Sequence, residues 1–261
     1  MTKLCYRAHS AWEAITEIAD VIIPKSASRL DFMAESRSGA YDGCTVAYRT
    51  FDSVQVTGII DSELLDALPD TLRFICHNGA GYDQIRIPAC TAHGVRVSNT
   101  PTAVDDATAD VAIFLLLGAL RNLYAPMASL RAGQWRGSSP PPLGHDPQGK
   151  MLGILGMGGI GRNMAKKALA FGMRIRYSNR MRLDAAVEKE IKAEYVDFDT
   201  LLAESDVLSL NLPLNVSKEA YGGVTQKPVV VKTRKKKLTN ILRPVYSTIP
   251  DTSSRRRSLQ K

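Results

Sequence analysis

The chain has 261 residues, 44 % of them hydrophobic, and its 34 Lys and Arg exceed its 26 Asp and Glu to give a formal net charge of +8. That length and apolar content suffice for one large domain or two small ones. The basic excess is local, because residues 218–261 hold twelve of the basic and two of the acidic residues, and the first 217 residues carry a net charge of −2. We therefore expect no nucleic-acid partner for the folded part of the chain.

Neither a secretory signal nor a membrane span is predicted. The first ten residues lack the apolar stretch of a signal peptide. The longest apolar run, residues 111–120, is far shorter than the roughly 18 residues that a membrane span requires. The four cysteines show neither C-x-x-C pairing nor metal-site spacing. We expect a cytoplasmic protein with free, mostly buried thiols, no metal and no membrane partner.

Short strands alternate with helical segments over the first part of the chain. The strands are predicted at residues 20–24, 44–48, 72–76 and 95–98. A helix is predicted over residues 62–68, where Pro69 ends it. This alternation predicts a small α/β lobe with parallel strands. One long apolar helix is predicted next, over residues 103–132, and we expect it to pack between two lobes.

Residues 151–182 are the most informative stretch, since they contain an apolar strand, a glycine turn, an amphipathic helix and a second strand. The turn, residues 156–161, has the pattern G-x-G-x-x-G where the helix begins. Gly156 permits the sharp bend, and Gly158 lets backbone N–H groups approach a pyrophosphate. Gly161 lets the helix lie close to the sheet. This pattern predicts a dinucleotide site.

The start of that helix supplies the binding groups. Its first residues, Gly159 and Ile160, present unpaired N–H donors and the positive end of the helix dipole to the phosphates. Glycines gather in any tight turn, so the pattern alone is weak evidence. The buried strand before it and the helical spacing of apolar residues after it strengthen the prediction. Further strands at 194–196 and 207–212, and a helix over 198–204, complete an α/β unit.

The end of the second strand bears on the choice of cofactor. An NAD site usually has Asp or Glu there, whereas this chain has Asn179, Arg180 and Arg182, and no carboxylate before Asp184. Guanidinium groups near the ribose 2′ position attract a phosphate. The segment therefore favours NADP(H), with NAD(H) as the alternative. A second alternative is that both arginines are solvated surface cations.

Several segments, in this order along the chain, resemble those of the D-isomer-specific 2-hydroxyacid dehydrogenases. The resemblance covers residues 8–217 and is nearest to the glyoxylate and hydroxypyruvate reductase group. It implies a Rossmann-type doubly wound parallel sheet, incomplete at the C-terminus, with a smaller flavodoxin-like α/β substrate lobe. Besides the glycine turn, the segments that carry it are residues 77–83, 98–101, 105–110, 131–135 and 211–214.

The resemblance also implies how the chain is divided. Residues 1–98 would form the substrate lobe, and residues 99–217 the dinucleotide-binding domain, including the interdomain helix 103–132. Residues 218–261 do not resemble the family. We expect them to be a disordered basic tail, and we interpret them as the product of an aberrant or truncated reading frame.

Members of this family transfer hydride between a nicotinamide and C2 of a 2-oxo or 2-hydroxy acid. The resemblance implies that a small 2-oxo acid such as glyoxylate or hydroxypyruvate binds through its carboxylate to the loop of Gly79, Ala80 and Gly81. Small residues suit that task, because they leave backbone amides accessible. A plain strand-to-helix turn is the alternative for this loop. The resemblance further implies a homodimer and adds three residues to the cofactor site, namely Thr108, Pro213 and Leu214.

The chain departs from the family after residue 217. The family's chemistry uses an arginine, a glutamate and a late histidine that moves the hydroxyl proton. No histidine follows His145 here, and Arg234 is only a weak match to the arginine. His77 is expected to be structural, while His9, His93 and His145 have no carboxylate partner at useful spacing. We therefore expect little or no turnover.

Two further hypotheses stay open. The chain could be a non-catalytic dinucleotide-binding module that works like a corepressor. It could also be a non-functional fragment, because a sheet without its last strands leaves an apolar edge uncovered.

Overall fold

The computed structural model describes residues 9–135, 143–212 and 230–231, which fall into two compact units. The first contains described residues up to Val104, and the second begins at Asp105. Apart from the pair Val230–Val231, the predicted basic tail lies outside the described residues.

The first unit contains a parallel three-stranded sheet in the order β1-β2-β3, as the alternating pattern predicted. Its buried core comes from the sheet and the helices around it, with Leu64, Ile75 and Cys90 among its least exposed residues. Its elements are α1 (His9–Thr16), α2 (Arg29–Glu35), a π-helical segment (Ser36–Ala40), β1 (Val46–Thr50), a 3₁₀ turn (Phe51–Ser53), α3 (Val54–Thr57), α4 (Ser62–Leu65), β2 (Phe74–Asn78), α5 (Ile87–Ala92) and β3 (Arg96–Ser98).

One prediction for this unit is wrong, and another is wrong in part. Residues 20–24 form no strand, and the apolar side chains of Val21, Ile22 and Ile23 stay exposed. Their β-branched character suits a strand, but a strand forms only where a neighbouring strand accepts its backbone hydrogen bonds. The helix predicted over 62–68 begins at Ser62, where the Asp61 side chain accepts a hydrogen bond from the Leu64 N–H, and it ends earlier, at Leu65.

The second unit contains a sheet in the order β6-β5-β4-β7-β8, whose first four strands are parallel. This arrangement confirms the Rossmann-type fold. The elements are α6 (Asp105–Leu120), α7 (Tyr124–Arg131), β4 (Met151–Leu155), α8 (Gly159–Ala170), β5 (Arg174–Ser178), α9 (Ala185–Glu190), β6 (Ala193–Tyr195), α10 (Phe198–Glu204), β7 (Val207–Leu210) and β8 (Val230–Val231). Strand β8 is antiparallel to β7, whereas a strand that follows a helical crossover would be parallel to it.

The single helix predicted over 103–132 is instead two helices, α6 and α7, that meet at 85°. Asn122, between them, has a φ of +53°, a left-handed conformation that ends an α-helix. No single described helix is long and apolar enough to cross a membrane, and only this bent pair, counted together, reaches the required length and composition. Helix α6 contributes Ala109, Ile113 and Leu116 to the core of the second unit.

Three cysteines lie in the described part of the chain, and all three are free. Cys90 is buried, which raises the pKa of its thiol, whereas Cys44 and Cys76 are half-buried. The described residues include no cluster of three His, Cys, Asp or Glu side chains that could hold a metal ion.

Strand β4 lies at the centre of the second sheet, and its position requires a small residue on one face. A β-carbon at Gly153 would overlap the hydroxyl of Ser205 and approach Leu201 of α10. Leu152 and Ile154, the neighbours of Gly153 in β4, are fully buried. The glycine therefore lets α10 pack directly on the central strand.

We predict that Gly153→Ala lowers the free energy of unfolding by about 1–3 kcal/mol, because the methyl group overfills this contact. Thermal or urea unfolding would measure the change. The matched control is Gly118→Ala, since a β-carbon at Gly118 in α6 meets nothing within 4 Å. That control should stabilise the chain by about 0.5–1 kcal/mol, as alanine does within helices. Equal effects of the two substitutions would contradict the packing argument.

Candidate functional site

The glycine turn joins β4 to α8 at the carboxyl edge of the second sheet. Gly156 has a φ of +97°, and a β-carbon there would lie 2.6 Å from the carbonyl oxygen of Asn211. A β-carbon at Gly161 would lie 2.5 Å from the carbonyl oxygen of Gly156. Both positions therefore need glycine, one for backbone conformation and both for close approach.

Gly158 and Gly159 stand at the start of α8. Gly158 is the extended residue before the helix, and a β-carbon there would meet nothing within 4 Å. The first turn of α8 itself contains no acidic residue, and its first N–H groups carry the positive end of the helix dipole. Beside it, the carboxylate of Asp105 fills the space that a β-carbon at Gly159 would take.

The end of β5 is tied to this turn by two hydrogen bonds. The N–H of Gly156 donates to the Ser178 carbonyl oxygen at 3.1 Å, and the N–H of Met157 donates to Oδ1 of Asn179 at 2.8 Å. Asn179, predicted as a cofactor residue, thus lies against the glycine turn. Its side chain shapes the turn and retains an amide NH₂ as a donor.

The two arginines after β5 have different environments. Arg180 is exposed and makes no hydrogen bond or ion pair with the described residues. Arg182 forms a two-pronged pair with Glu188 of α9, from Nε to Oε1 at 2.9 Å and from Nη2 to Oε2 at 2.8 Å. Its guanidinium carbon also lies 5.9 Å from the centre of the Tyr195 ring.

Glu188 and Tyr177 extend this pair into the interior. The hydroxyl of Tyr177 donates to Oε1 of Glu188 at 2.6 Å and accepts from the Leu183 N–H at 2.9 Å. The Arg182 guanidinium and the Tyr177 hydroxyl lower the pKa of Glu188 to about 2. Burial, with the Glu188 hydrogen bond, raises the pKa of Tyr177 to about 12. The carboxylate is therefore ionised across the physiological pH range.

In the first unit, the carbonyl oxygens of the glycine loop after β2 accept hydrogen bonds from neighbouring residues. The carbonyl oxygen of Gly79 accepts from the Thr100 N–H at 3.1 Å, and that of Ala80 accepts from Nδ2 of Asn99 at 2.9 Å. Nε2 of His77 lies 2.8 Å from the carbonyl oxygen of Gly81 and donates to it. Within the described residues, the N–H groups of Ala80 and Gly81 have no hydrogen-bond partner. The loop can therefore offer two adjacent donors to an anion.

Behind this loop lies a buried polar group. Arg49 of β1 is opposite His77 of β2, and its Nη2 donates to Oε1 of buried Gln84 at 2.8 Å. Burial lowers the pKa of both Arg49 and His77. A β-carbon at Gly79 would lie 2.5 Å from Nε2 of His77, so the loop needs glycine there. As predicted for His77, its contact is structural.

One of the remaining predicted residues lies in the described part of the chain. Thr108 is an exposed residue of α6. Pro213, Leu214 and Arg234 lie outside the described residues.

The prediction that His93 has no carboxylate partner is wrong. Its Nε2 lies 2.8 Å from Oδ1 of Asp66, and its Nδ1 lies 2.9 Å from the carbonyl oxygen of Ala89. Asp66 is 27 residues away, and packing of the ends of α4 and α5 brings the two together. Both ring nitrogens are occupied, so His93 holds a helix end and is poorly placed to move a proton. His145 lies exposed on the segment before β4.

Three residues at the second unit's site were missed by the sequence prediction. Glu188 and Tyr177 position Arg182, and Asp105 packs against the start of α8. The spacing of Tyr177, Arg182 and Glu188 follows no helical or strand period, because a loop separates them. The only available indication was a carboxylate on the helix after an arginine-containing loop.

Similarity to known proteins identifies the family of this chain. The sequence profile of the NAD binding domain of D-isomer specific 2-hydroxyacid dehydrogenases matches residues 113–226. A protein of Schizosaccharomyces pombe that is named as a 2-hydroxyacid dehydrogenase is 46 % identical to this chain over 232 residues. The matched stretch covers 87 % of this chain and 68 % of that protein. The chain belongs to the D-isomer-specific 2-hydroxyacid dehydrogenase family.

Other members of the family are also similar to this chain. The 4-methyl-2-oxopentanoate reductase A of Aspergillus oryzae is 55 % identical over 210 residues, which cover 80 % of this chain and 63 % of that protein. The crystal structure of a glyoxylate reductase from Paecilomyes thermophila has a TM-score of 0.75 and 51 % identity, covering 81 % of this chain and 63 % of that one. This chain thus spans less than two thirds of the length of each of these two relatives. The family's NAD-binding domain indicates a nicotinamide dinucleotide cofactor.

We predict that two alanine substitutions in the turn act on different quantities, one on the free energy of unfolding and the other on dinucleotide affinity. Gly161→Ala should lower the free energy of unfolding by about 1–3 kcal/mol, because the methyl group meets the Gly156 carbonyl. Gly158→Ala should change it by less than about 0.5 kcal/mol, because the methyl group enters open space. If a pyrophosphate approaches the turn at Gly158, the same methyl group would obstruct it, and the affinity for NADP⁺ or NAD⁺ should fall about tenfold or more. Chemical unfolding and calorimetric titration would separate the two effects, and unchanged NADP⁺ binding by folded Gly158→Ala would contradict this assignment.

A pH dependence is predicted for the contact of His93 with Asp66. The hydrogen bond that His93 Nε2 donates to the Asp66 carboxylate raises the pKa of His93 above its ordinary value of 6.5. The pair therefore adds stability that is fully present below that ordinary value and is lost as pH rises through the raised pKa. His93→Gln should lower the melting temperature more at about pH 5.5 than at about pH 8.5, whereas His145→Gln should show no such difference. A larger loss at the higher pH would reverse the sign and refute the prediction.

Proposed function

We propose that this chain binds a nicotinamide dinucleotide, preferably NADP(H), for the reduction of a small 2-oxo acid. Glyoxylate and hydroxypyruvate are the first candidates, and the relative from Aspergillus oryzae is named for 4-methyl-2-oxopentanoate. The proposal places the pyrophosphate at the start of α8 and the substrate carboxylate at the Gly79–Gly81 loop, and it assigns residues 1–98 to the substrate lobe and residues 99–217 to the cofactor domain.

The observation that carries the proposal is the orientation of the Gly79–Gly81 loop. Three donors, the Thr100 N–H, Nδ2 of Asn99 and Nε2 of His77, engage its three carbonyl oxygens. The peptide groups are thereby fixed with their N–H groups turned away from those donors. A carboxylate can accept from two such N–H groups without meeting a side chain larger than that of Ala80.

The dinucleotide supplies the hydride when it is bound, and this chain supplies binding and orientation. The start of α8 provides N–H donors for the phosphates, and Asn179 holds the turn in shape. Arg180 and Arg182 follow the end of β5, and exposed Arg180, which lacks a described counter-charge, supports the preference for NADP(H), while Arg182 is paired with Glu188. Thr108, Pro213 and Leu214 complete the proposed cofactor contacts, and we assign no catalytic role to Arg234.

We infer that His77, His93 and His145 do not serve as the general acid of the reaction. His77 is buried with Nε2 engaged by Gly81, and His93 has both nitrogens engaged. His145 is exposed on a surface segment. Without a general acid, turnover falls by about 10²–10⁴-fold. A chain that binds the dinucleotide but reduces a 2-oxo acid slowly is the expected behaviour.

We also propose that the protein is a cytoplasmic homodimer. Free thiols favour a reducing compartment. The exposed apolar side chains of Val111, Phe114 and Tyr124 on α6 and α7 support a subunit contact.

The test combines binding with turnover in the same preparation. Calorimetric titration should give saturable binding of NADP⁺, and absorbance at the NADPH band should show little oxidation with glyoxylate or hydroxypyruvate. Oxalate, a dicarboxylate without a reducible carbonyl, should bind competitively with glyoxylate. Lack of binding of both NADP⁺ and NAD⁺ by folded protein would refute the proposed function. Fast turnover would instead refute only the inference about the general acid.

A further inference from the structure

The segment that follows β5 is fixed relative to the glycine turn, so its side chains have defined positions at the proposed cofactor site. Hydrogen bonds from the Gly156 N–H to Ser178 and from the Met157 N–H to Asn179 hold the last residue of β5 and the first residue after it. The hydroxyl of Tyr195 donates to the Asn179 carbonyl oxygen at 3.3 Å. In a Rossmann fold, the side chains immediately after this strand lie beside the adenosine ribose. Arg180 and Arg182 are therefore both near the group that distinguishes NADP(H) from NAD(H).

The charge of Arg182 is already balanced. Glu188 accepts two hydrogen bonds from its guanidinium, and the Glu188 side chain is 10 % exposed whereas that of Arg182 is 65 % exposed. If Arg182 turned towards a phosphate, it would leave an ionised and largely buried carboxylate with the Tyr177 hydroxyl as its remaining donor. Leaving such a group without its counter-charge is costly.

Arg180 differs from Arg182 in both respects. It is exposed, it precedes the loop's turn towards α9, and no described carboxylate neutralises it. Its full positive charge and its five donors are available to a ligand.

The geometry points to Glu188 as a specificity-determining residue that acts through Arg182. By holding Arg182 in a neutral pair, Glu188 leaves Arg180 as the cation that reads the 2′-phosphate of NADP(H), and it limits the preference for NADP(H) over NAD(H). Arg182 is thus a positioning residue of the loop in the native protein. This inference rests on the proposed dinucleotide site and says which arginine distinguishes the two cofactors.

The decisive variant is Glu188→Gln, which keeps an acceptor for the Tyr177 hydroxyl but removes the charge that holds Arg182. The released guanidinium can then reach the 2′-phosphate, and one new charge-assisted contact should lower the Kd for NADP⁺ about tenfold. The Kd for NAD⁺ should stay within about twofold. A purely structural role of Glu188 would change both constants together, so the ratio of the two constants is the measured quantity.

The matched control is Glu190→Gln on the same helix. Glu190 pairs with Lys166, with 2.6 Å between Oε1 and Nζ, and its loss removes the same charge from α9. This control should leave the ratio of the two Kd values within about twofold of wild type. The double variant Glu188→Gln with Arg182→Ala should lose the gain in NADP⁺ affinity, because the released guanidinium is gone.

A second variant keeps the test decisive if Glu188→Gln fails to fold. Arg180→Ala alters an exposed side chain and should weaken NADP⁺ binding about tenfold or more while leaving NAD⁺ binding within about twofold. Calorimetry on the full chain gives all the constants. An unchanged ratio in Glu188→Gln, or unchanged NADP⁺ binding in Arg180→Ala, would overturn the inference while the proposed function stands. Absence of binding of either dinucleotide to the wild-type chain would refute the proposed function itself.

Discussion

The close approach of α8 to the end of β4 is the constraint on which the rest of the second unit depends. Gly161 lies over the carbonyl group of Gly156, and neither position has room for a β-carbon. Because the helix starts so close to the central strand, its first N–H groups are directed at the carboxyl edge of the sheet. Asn179 then fixes the turn from the neighbouring strand. The turn is thus ordered by the chain's own contacts, and at the proposed dinucleotide site such order would reduce the ordering cost of binding.

The first unit also contains a loop with oriented backbone N–H groups, and this loop does not lie at the start of a helix. Its Gly79–Gly81 loop is oriented by hydrogen bonds to its carbonyl oxygens, and two of the donors are side chains, Asn99 and His77. Arg49 lies behind the loop, buried but still charged, because a guanidinium does not lose its proton under ordinary conditions. The proposed carboxylate site thus rests on backbone orientation, while the charge of Arg49 is opposed by that of the nearby Asp83 carboxylate.

Sequence periodicity was sufficient to predict the elements whose conformation depends on residues close together in the chain. The glycine turn, the parallel strands around it and the helix α10, which starts after the capping residue Asp197, all follow from short-range periodicity and turn chemistry. The errors lie where distant residues decide. The apolar run at residues 20–24 meets no strand, and the left-handed Asn122 breaks an otherwise uniform apolar helix.

The site shows the same division. Gly156, Gly161 and Asn179 could be assigned from spacing alone. The partners of Arg182 and His93 could not, because Glu188 and Asp66 reach them through loop paths and helix packing that no periodicity encodes.

The pairing of β7 has a consequence for how the sheet opens. On one side β7 pairs with β4 along its length, whereas β8 pairs only with Val207 and Leu208 on the other. Among the described residues, Ser209 and Leu210 therefore have no strand beside them on that outer side. Amide protons of the central strand should exchange with deuterated solvent only when the whole unit unfolds, while fraying can begin at this half-covered margin. This margin of the sheet borders its carboxyl edge, so any ligand that spans the margin would also slow its opening.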